Sequence, residues 1–338
     1  MSHKLLSAGD ASSAARRWRD AARTGKTAVA GGVAAPAQPF LVAWLAKELG
    51  HPICVVCPDV KHQEEFFHDL RFWDDHALLV PDLELSAPGA VTDPELAAAR
   101  LGALHELRGA DRPVVVFTAD GLDHAAPSPA QLQSETKTLR RGEALAPQDL
   151  VAELERTGFV RVATAAVRGH YAVRGGIIDV FPWQTALPVR LEFFGDELES
   201  LRSYDPDSQR SVETMESCEI CLGAAEGKDS GTARDYLPAK TLFVAIEDAL
   251  PEAAVRIHSG PVLADSDEIE LAAGAHPAGD FAAGDIVLVE QRRRDLFRQI
   301  SGWQKDGWNV QIACANEGEA TRLRELAAGE SESPRDLP

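Results

Sequence analysis

Two short segments carry residues in the order that nucleotide chemistry uses. Gly25-Lys26-Thr27 ends like a phosphate-binding GxxxxGK[ST] loop, yet Asp20 stands where the leading glycine belongs. The triplet also precedes the first apolar run instead of following it, so it cannot set phosphates on a helix N-terminus at the end of a strand. The stretch with the right context is Gly32-Val-Ala-Ala-Pro-Ala-Gln38-Pro39, which lies between a short apolar run and an amphipathic one. There Ala37 replaces the second glycine, Gln38 the phosphate-binding lysine and Pro39 the hydroxyl that would hold magnesium. A loop so altered lacks its main positive charge, and proline removes one cradle N–H. ATP binding is therefore not expected, no cofactor is expected, and the chain is not expected to be an enzyme. The same residues also suit an ordinary strand-to-helix turn. Leu242-Phe-Val-Ala-Ile-Glu247-Asp248 is an apolar run ending in two carboxylates, the shape of a strand-end pair for magnesium and water. It equally fits a strand that runs into a polar helix start.

The five cysteines include two CxxC pairs, Cys54/Cys57 and Cys218/Cys221. Pro-Ile-Cys54-Val-Val-Cys57-Pro has the composition of a buried strand, and residues three apart on a strand point to opposite faces. A zinc knuckle needs a turn that brings both thiolates to one ion, so the cysteines read as small buried hydrophobes and no metal is expected.

The third group is Arg174, Arg190, Phe194 and Glu197. Val189 to Phe194, Gly195-Asp196 and Glu197 to Tyr204 form a hairpin with glycine at the first loop position, as a type II′ turn prefers. A two-residue loop pairs Phe194 with Glu197, and a regular ladder would pair Glu192 with Glu199. Period two then puts Arg190, Glu192, Phe194, Glu197 and Glu199 on one face. Val189, Leu191, Phe193 and Leu198 turn to the core. Phe194 is an aromatic on a charged face, the pattern of an interface anchor with a polar rim; a neighbouring domain could equally cover it. On this reading the Arg190, Phe194 and Arg293 side chains point away from the core, and truncating each to alanine should leave the melting temperature unchanged.

Stepping outward, the elements that must hold these residues fall into regions. Thr27 to Val33, Ile53 to Cys57, Leu78 to Val80 and Val114 to Thr118 read as strands. Helices intervene at Phe40 to Leu49, Val60 to Phe72 and Pro94 to Leu107, the last capped by Asp93. That β-α-β-α rhythm implies a parallel sheet covered by helices on both faces. A helix at Pro147 to Arg156 opens a second region of hairpins, including Tyr171 to Arg174 and Ile177 to Phe181 around Gly175-Gly176. The apolar runs Thr241 to Ile246 and Asp285 to Val289 return to α/β. A strand at Asn309 to Cys314 and a helix at Glu317 to Ala327 follow. Gly223 to Thr232 and Leu271 to Gly284 read as loops, and the tail SESPRDLP as disordered.

At 338 residues, with net charge −19 and pI near 4.9, the chain can bury a core but lacks the basic stripe that neutralising DNA phosphates requires. Strong nucleic-acid binding is not expected; the run Arg292-Arg293-Arg294 reads as a solvated helix face. No apolar window is long enough to span a membrane and no secretory h-region opens the chain, which implies a cytoplasmic location.

The block from Arg174-Gly-Gly-Ile-Ile-Asp-Val-Phe-Pro182 through Pro188 to Ser211 resembles the inserted domain shared by UvrB and the transcription-repair coupling factor (Mfd) family. Asp205 to Ser211 looks more like the coupling factors, and looser likeness runs from about residue 28 to 327. The resemblance implies a degenerate P-loop NTPase or helicase-like α/β fold with an inserted antiparallel, β-rich α+β domain. It divides the chain into an N-terminal helical arm (1–26), domain 1a (27–140), an inserted UvrA-binding domain (141–224), domain 1b (225–290) and the start of a following domain with its tail (291–338). Gly32 to Pro39 then matches the nucleotide loop of UvrB, and Glu247-Asp248 its acidic strand end, both altered. UvrB's tyrosine-rich, DNA-clamping hairpin corresponds to Pro81 to Asp93, which contains no aromatic residue, so no stacking platform for bases is expected there. The implied function is UvrA recruitment in nucleotide excision repair, without the motor and polymerase-binding parts, in a fragment or truncated homologue. The alternatives are an autoinhibitory or structural domain that packs on the rest of a longer translocase, and an ATP-dependent, UvrB-like damage-recognition subunit.

Overall fold

In the computed structural model the described residues are 6, 13–84, 93–222, 231–260, 269–272, 290–307, 310, 312, 314 and 317–328. Helix α1 (Ser13–Arg23) closes on the Gly25-Lys26-Thr27 triplet, where the Gly25 and Lys26 N–H groups donate to Ala22 O and Ala21 O at 3.3 and 3.1 Å. The triplet thus closes the C-terminal end of a helix and does not open an N-terminal one. Strand β1 (Ala28–Gly31) follows, then α2 (Gln38–Leu49), β2 (Ile53–Cys57) and α3 (Val60–Trp73). Next come β3 (Leu78–Leu79), α4 (Pro94–Gly109) and β4 (Val114–Thr118). Asp59 caps α3 and Asp93 caps α4, each accepting a first-turn N–H, from His62 at 2.9 Å and from Glu95 at 2.8 Å. Short pieces lead onward: α5 (Ala119–Asp123), β5 (Ala125–Ala126), α6 (Pro129–Ser134) and β6 (Thr136–Arg140).

Helix α7 (Pro147–Arg156) opens the β-rich module, with β7 (Val160–Arg161), β8 (His170–Arg174), β9 (Ile177–Val180), β10 (Val189–Phe194), β11 (Glu197–Tyr204) and β12 (Ser211–Met215). The chain then returns through β13 (Ser217–Cys221), β14 (Gly231–Thr232), β15 (Leu242–Ile246), β16 (Val255–Ile257) and β17 (Ile269–Ala272). Helices α8 (Glu290–Lys305) and α9 (Glu317–Ala328) share a small core of Phe297, Ile300 and Ala327. Arg294 on α8 pairs with Glu290 one turn earlier, as a solvated helix face does.

Two sheets result. The first is all parallel, in the order β17-β1-β16-β15-β2-β4-β3. Its two faces feed separate cores. Val55 and Cys57 pack with Trp44, Leu45 and Leu70, while Cys54 and Val56 pack with Leu104, Leu107 and Phe117. The two thiols of the first CxxC therefore lie on opposite sides of the sheet. Burial raises the pKa of both, as it raises Cys218 to about 12 and Cys221 to about 11. These are inert side chains. The second sheet runs β12-β11-β10-β9-β8-β7 and is antiparallel except for β7–β8. It packs on Leu150 and Leu154 of α7.

The β6–β13 ribbon joins the two layers. Leu139, Cys218 and Ile220 enter the core of the β-rich module and Cys221 that of the α/β body. Gln184 ties the junction: its amide nitrogen donates to Glu219 O at 2.6 Å and its amide oxygen accepts the Cys221 N–H at 3.0 Å. Gly102 of α4 sits against the same segment, where a Cβ would lie 2.5 Å from Gln184 O. Arg168 pairs with Glu95 at the start of that helix.

The strands expected at residues 53–57 and 114–118 form with those bounds, and the run expected from residue 241 forms as β15. Asp285 to Val289, most of Gly223 to Thr232, Leu271 to Gly284 apart from its first two residues, half of Asn309 to Cys314, and the C-terminal tail lie outside the described residues; the described ends of the two expected loops, residues 231–232 and 271–272, belong to β14 and β17 instead. So does most of Pro81 to Asp93. The short strands β16 and β17, absent from the sequence reading, lie on either side of β1, with β16 joining it to β15. Val255–Ile257 is three residues long, too short for periodicity to register.

Candidate functional site

Gly32 to Pro39 connects β1 to α2 at the C-terminal edge of the parallel sheet, where open α/β sheets bind ligands. Three of its N–H groups are already engaged. The Gly32 N–H donates to Gly260 O at 2.8 Å, Val33 to His258 O at 3.0 Å and Ala37 to Ala34 O at 2.8 Å. Gln38 is 3% exposed and donates from Nε2 to Ser259 Oγ at 3.0 Å and to Val33 O at 3.4 Å. Pro39 brings no N–H. The acidic end of β15 joins the same network: Glu247 Oε1 accepts the Ser259 N–H at 2.8 Å, and Oε2 lies 3.2 Å from His258 Nδ1. Glu247 holds a left-handed backbone at φ 53°, strain that its two hydrogen bonds help to maintain. Asp248 is exposed. The fold thus brings Gln38 and Glu247 together through Ser259. The lysine position and the acidic strand end, both singled out in the sequence, are tied to one another.

The β-rich module presents a second constellation. Asp179 of β9 has none of its side chain exposed, and register sets it directly opposite Arg190 of β10. Arg190 Nε and Nη2 donate to the two Asp179 oxygens at 2.6 and 2.8 Å, and Nη2 also reaches Gln209 Oε1 at 3.0 Å. Its guanidinium stacks 4.4 Å from the Tyr204 ring centroid. Hydrogen bonding to Asp179 raises the Arg190 pKa further, and burial raises the Tyr204 hydroxyl to about 12. Arg174 donates to Asp179 Oδ2 at 2.6 Å. One step along the face, Glu192 accepts from Ser200 Oγ at 2.7 Å and from Arg202, which together hold its pKa below the usual carboxylate range.

Phe194 ends this row and is 79% exposed. Its hairpin is tied down: the Leu145 N–H donates to Asp196 O at 2.7 Å and the Leu198 N–H to Glu143 O at 3.0 Å. The positive φ of the turn falls on Gly195 at 63°, as a type II′ loop requires. Phe194 is therefore an aromatic on a fixed backbone, beside exposed Glu197.

Two expectations need correction, and one residue was missed. Glu192 pairs with Ser200, because a β-bulge between Glu192 and Phe193 makes Glu199 the extra residue on β11. Regular period two cannot register a bulge. The Arg190 side chain does not point away from the fold; it is 13% exposed and neutralises a buried carboxylate. Asp179 was missed as the centre of the face. The available signal was a lone carboxylate inside the apolar run Ile177-Ile-Asp-Val-Phe181.

Residues 138–224 match the family described as UvrB interaction domain, which spans this whole face. The chain is also 32% identical over 192 residues to the transcription-repair-coupling factor of Bacillus subtilis (strain 168), an alignment covering 56% of this chain and 16% of that protein. The chain is similar to the transcription-repair-coupling factors. The factor of Escherichia coli (strain K12) is 28% identical over 200 residues, 59% of this chain and 17% of its own length. That of Myxococcus xanthus is 31% identical over 211 residues, 60% and 18%. The likeness to these coupling factors is thus to an N-terminal module, and it spans about a sixth of their length. Among the described residues no helix is long and apolar enough to cross a membrane.

Proposed function

We propose that this chain is a non-catalytic module that recruits UvrA in nucleotide excision repair. The observation that carries the reading is Phe194: an aromatic 79% exposed on a tied hairpin, inside the region that matches the UvrB interaction domain. Exposed aromatics on rigid backbone are what interface hot spots are made of, because little ordering entropy is lost on binding. Arg190 and Asp179 hold the sheet surface beneath, Arg174 offers a half-exposed guanidinium for a partner carboxylate, and Glu197 forms a charged rim that aids register.

The α/β body supports the non-catalytic part of the reading. We read it as a degenerate P-loop, helicase-like domain whose anion cradle is filled by its own backbone. A triphosphate would need the Gly32 and Val33 N–H groups, now bonded to Gly260 and His258, and a lysine where Gln38 is locked to Ser259. These residues do not fit ATP. The test is a binding titration of UvrA from the same source against wild type and Phe194→Ala, with Arg293→Ala as control. Binding by wild type and Arg293→Ala, and its loss in Phe194→Ala, is the expected result. Equal binding by Phe194→Ala overturns the assigned face, and absence of wild-type binding overturns the function.

A further inference from the structure

We propose that Gln209, in the turn between β11 and β12, is a positioning residue of the partner-binding face: it fixes the plane of the Arg190 guanidinium so that one edge of it faces outward. The inference rests on the reading of that face as the one that meets UvrA. Arg190 is held on three sides. Asp179 accepts from Nε and Nη2 at 2.6 and 2.8 Å, Gln209 Oε1 accepts from Nη2 at 3.0 Å, and the Tyr204 ring centroid lies 4.4 Å away. Tyr204 is itself fixed, being buried and donating from its hydroxyl to Ala165 O at 3.1 Å. The remaining nitrogen, Nη1, makes no hydrogen bond among the described residues and is open to solvent. A guanidinium is planar, so three fixed contacts set the direction of the N–H groups that are left. A partner carboxylate would meet those donors already aimed, with less side-chain freedom to lose on binding.

The turn is built to deliver this one acceptor. Gln209 holds a left-handed backbone at φ 58°, a conformation that glycine takes freely and a long L side chain takes under strain. The surroundings over-determine it, as strain of this kind requires. Its N–H donates to Asp205 O at 2.8 Å and its Nε2 to Pro206 O at 2.7 Å. Asp205 closes the ring of bonds, accepting the Ser208 N–H on Oδ1 at 2.7 Å and donating its own N–H to Arg210 O at 2.9 Å. Glycine would fit this backbone better, so the side chain is what the position adds. Asp179 already neutralises Arg190 with a charged, two-point pair. A neutral amide beside that pair adds little to the charge balance; its effect is to choose a direction.

The test titrates the whole chain with UvrA from the same source, in a double-mutant cycle of Gln209→Gly and Arg190→Lys. Gln209→Gly accepts the positive φ and removes only the amide. It should weaken binding about fivefold, the scale of ordering one long side chain at an interface. Gln209→Asn also tolerates the left-handed backbone but is one methylene too short to reach Arg190, and it should lose as much. Arg190→Lys keeps a positive charge for buried Asp179 but has no guanidinium plane to fix. In that background Gln209→Gly should cost nothing further. An equal loss in both backgrounds would make Gln209 a structural turn residue only, and would overturn the inference. So would wild-type affinity in both Gln209 variants while Phe194→Ala loses binding, an outcome that leaves the UvrA reading standing. Absence of binding by wild type would overturn both.

Discussion

At the scale of single residues, Asp179 and Phe194 play opposite parts on one face. Asp179 is fully buried and carries two guanidiniums. A buried carboxylate is tolerable only while it is paired, so removing its main partner costs far more than the pair contributes. Arg190→Ala is expected to destabilise the chain by about 3 kcal/mol in urea unfolding, with half-exposed Arg174 left as a poor substitute. An unchanged unfolding midpoint would contradict the burial seen for this pair. Phe194→Ala should behave in reverse: full stability, and a loss of at least about 2 kcal/mol in UvrA binding by calorimetry. The contrast also governs how an Arg190 variant is read, because its binding defect would be inseparable from its instability.

At the scale of elements, the turn from β1 into α2 offers a test of the proposed lack of nucleotide binding. Gln38→Lys returns the missing charge, but Ala37 and Pro39 remain and the loop N–H groups stay bonded to Gly260 and His258. Titration calorimetry should find MgATP affinity weaker than about 100 μM, or about −5.5 kcal/mol, in both wild type and Gln38→Lys. Helix α4 supplies a second test. Gly102 lies mid-helix, where alanine is intrinsically better by about 1 kcal/mol. Its Cβ would meet the Gln184 carbonyl at 2.5 Å, a backbone atom that cannot swing aside. Gly102→Ala should therefore destabilise the chain by roughly 1–3 kcal/mol of overpacking, seen as a lower melting temperature. A raised melting temperature would show that the 184 segment gives way freely.

At the scale of the whole molecule, the α/β body and the β-rich module meet through side chains that respond to pH. His105 of α4 lies 2.8 Å from Glu219 of β13, with Arg108 at 3.8 Å from the same carboxylate. Burial is the largest influence on His105 and lowers its pKa below the ordinary 6.5, with Glu219 opposing. The unfolded chain then binds more protons than the folded one between the lowered value and 6.5. Stability rises with pH across that window and falls on acidification below about 6.5. His105→Gln should flatten this part of the stability profile, measured as unfolding midpoints at a series of pH values. A profile as steep as wild type would assign the dependence to other groups.

Much of this architecture was legible in the chain. Near-continuous apolar runs mark β2 and β4, Asp93 marks the cap of α4, and Gly195 marks the hairpin that carries Phe194. Each of these rests on local physics, in which neighbouring residues decide burial, capping or turn type. The turn at Gly32 to Pro39 was legible as a strand-to-helix connection for the same reason, since an apolar run precedes it and a helical one follows. What lay beyond the sequence depends on residues far apart in it. The bond from Gln38 to Ser259 spans 221 positions, and no periodicity links them. Asp179 lies only 11 positions from Arg190, yet its role needed the register of β9 against β10 and the burial of that face. The bulge that displaced Glu199 is likewise a property of the pairing and not of either strand. Local sequence chose the elements; the long-range packing of those elements determined which charges are spent inside the fold and which remain for a partner.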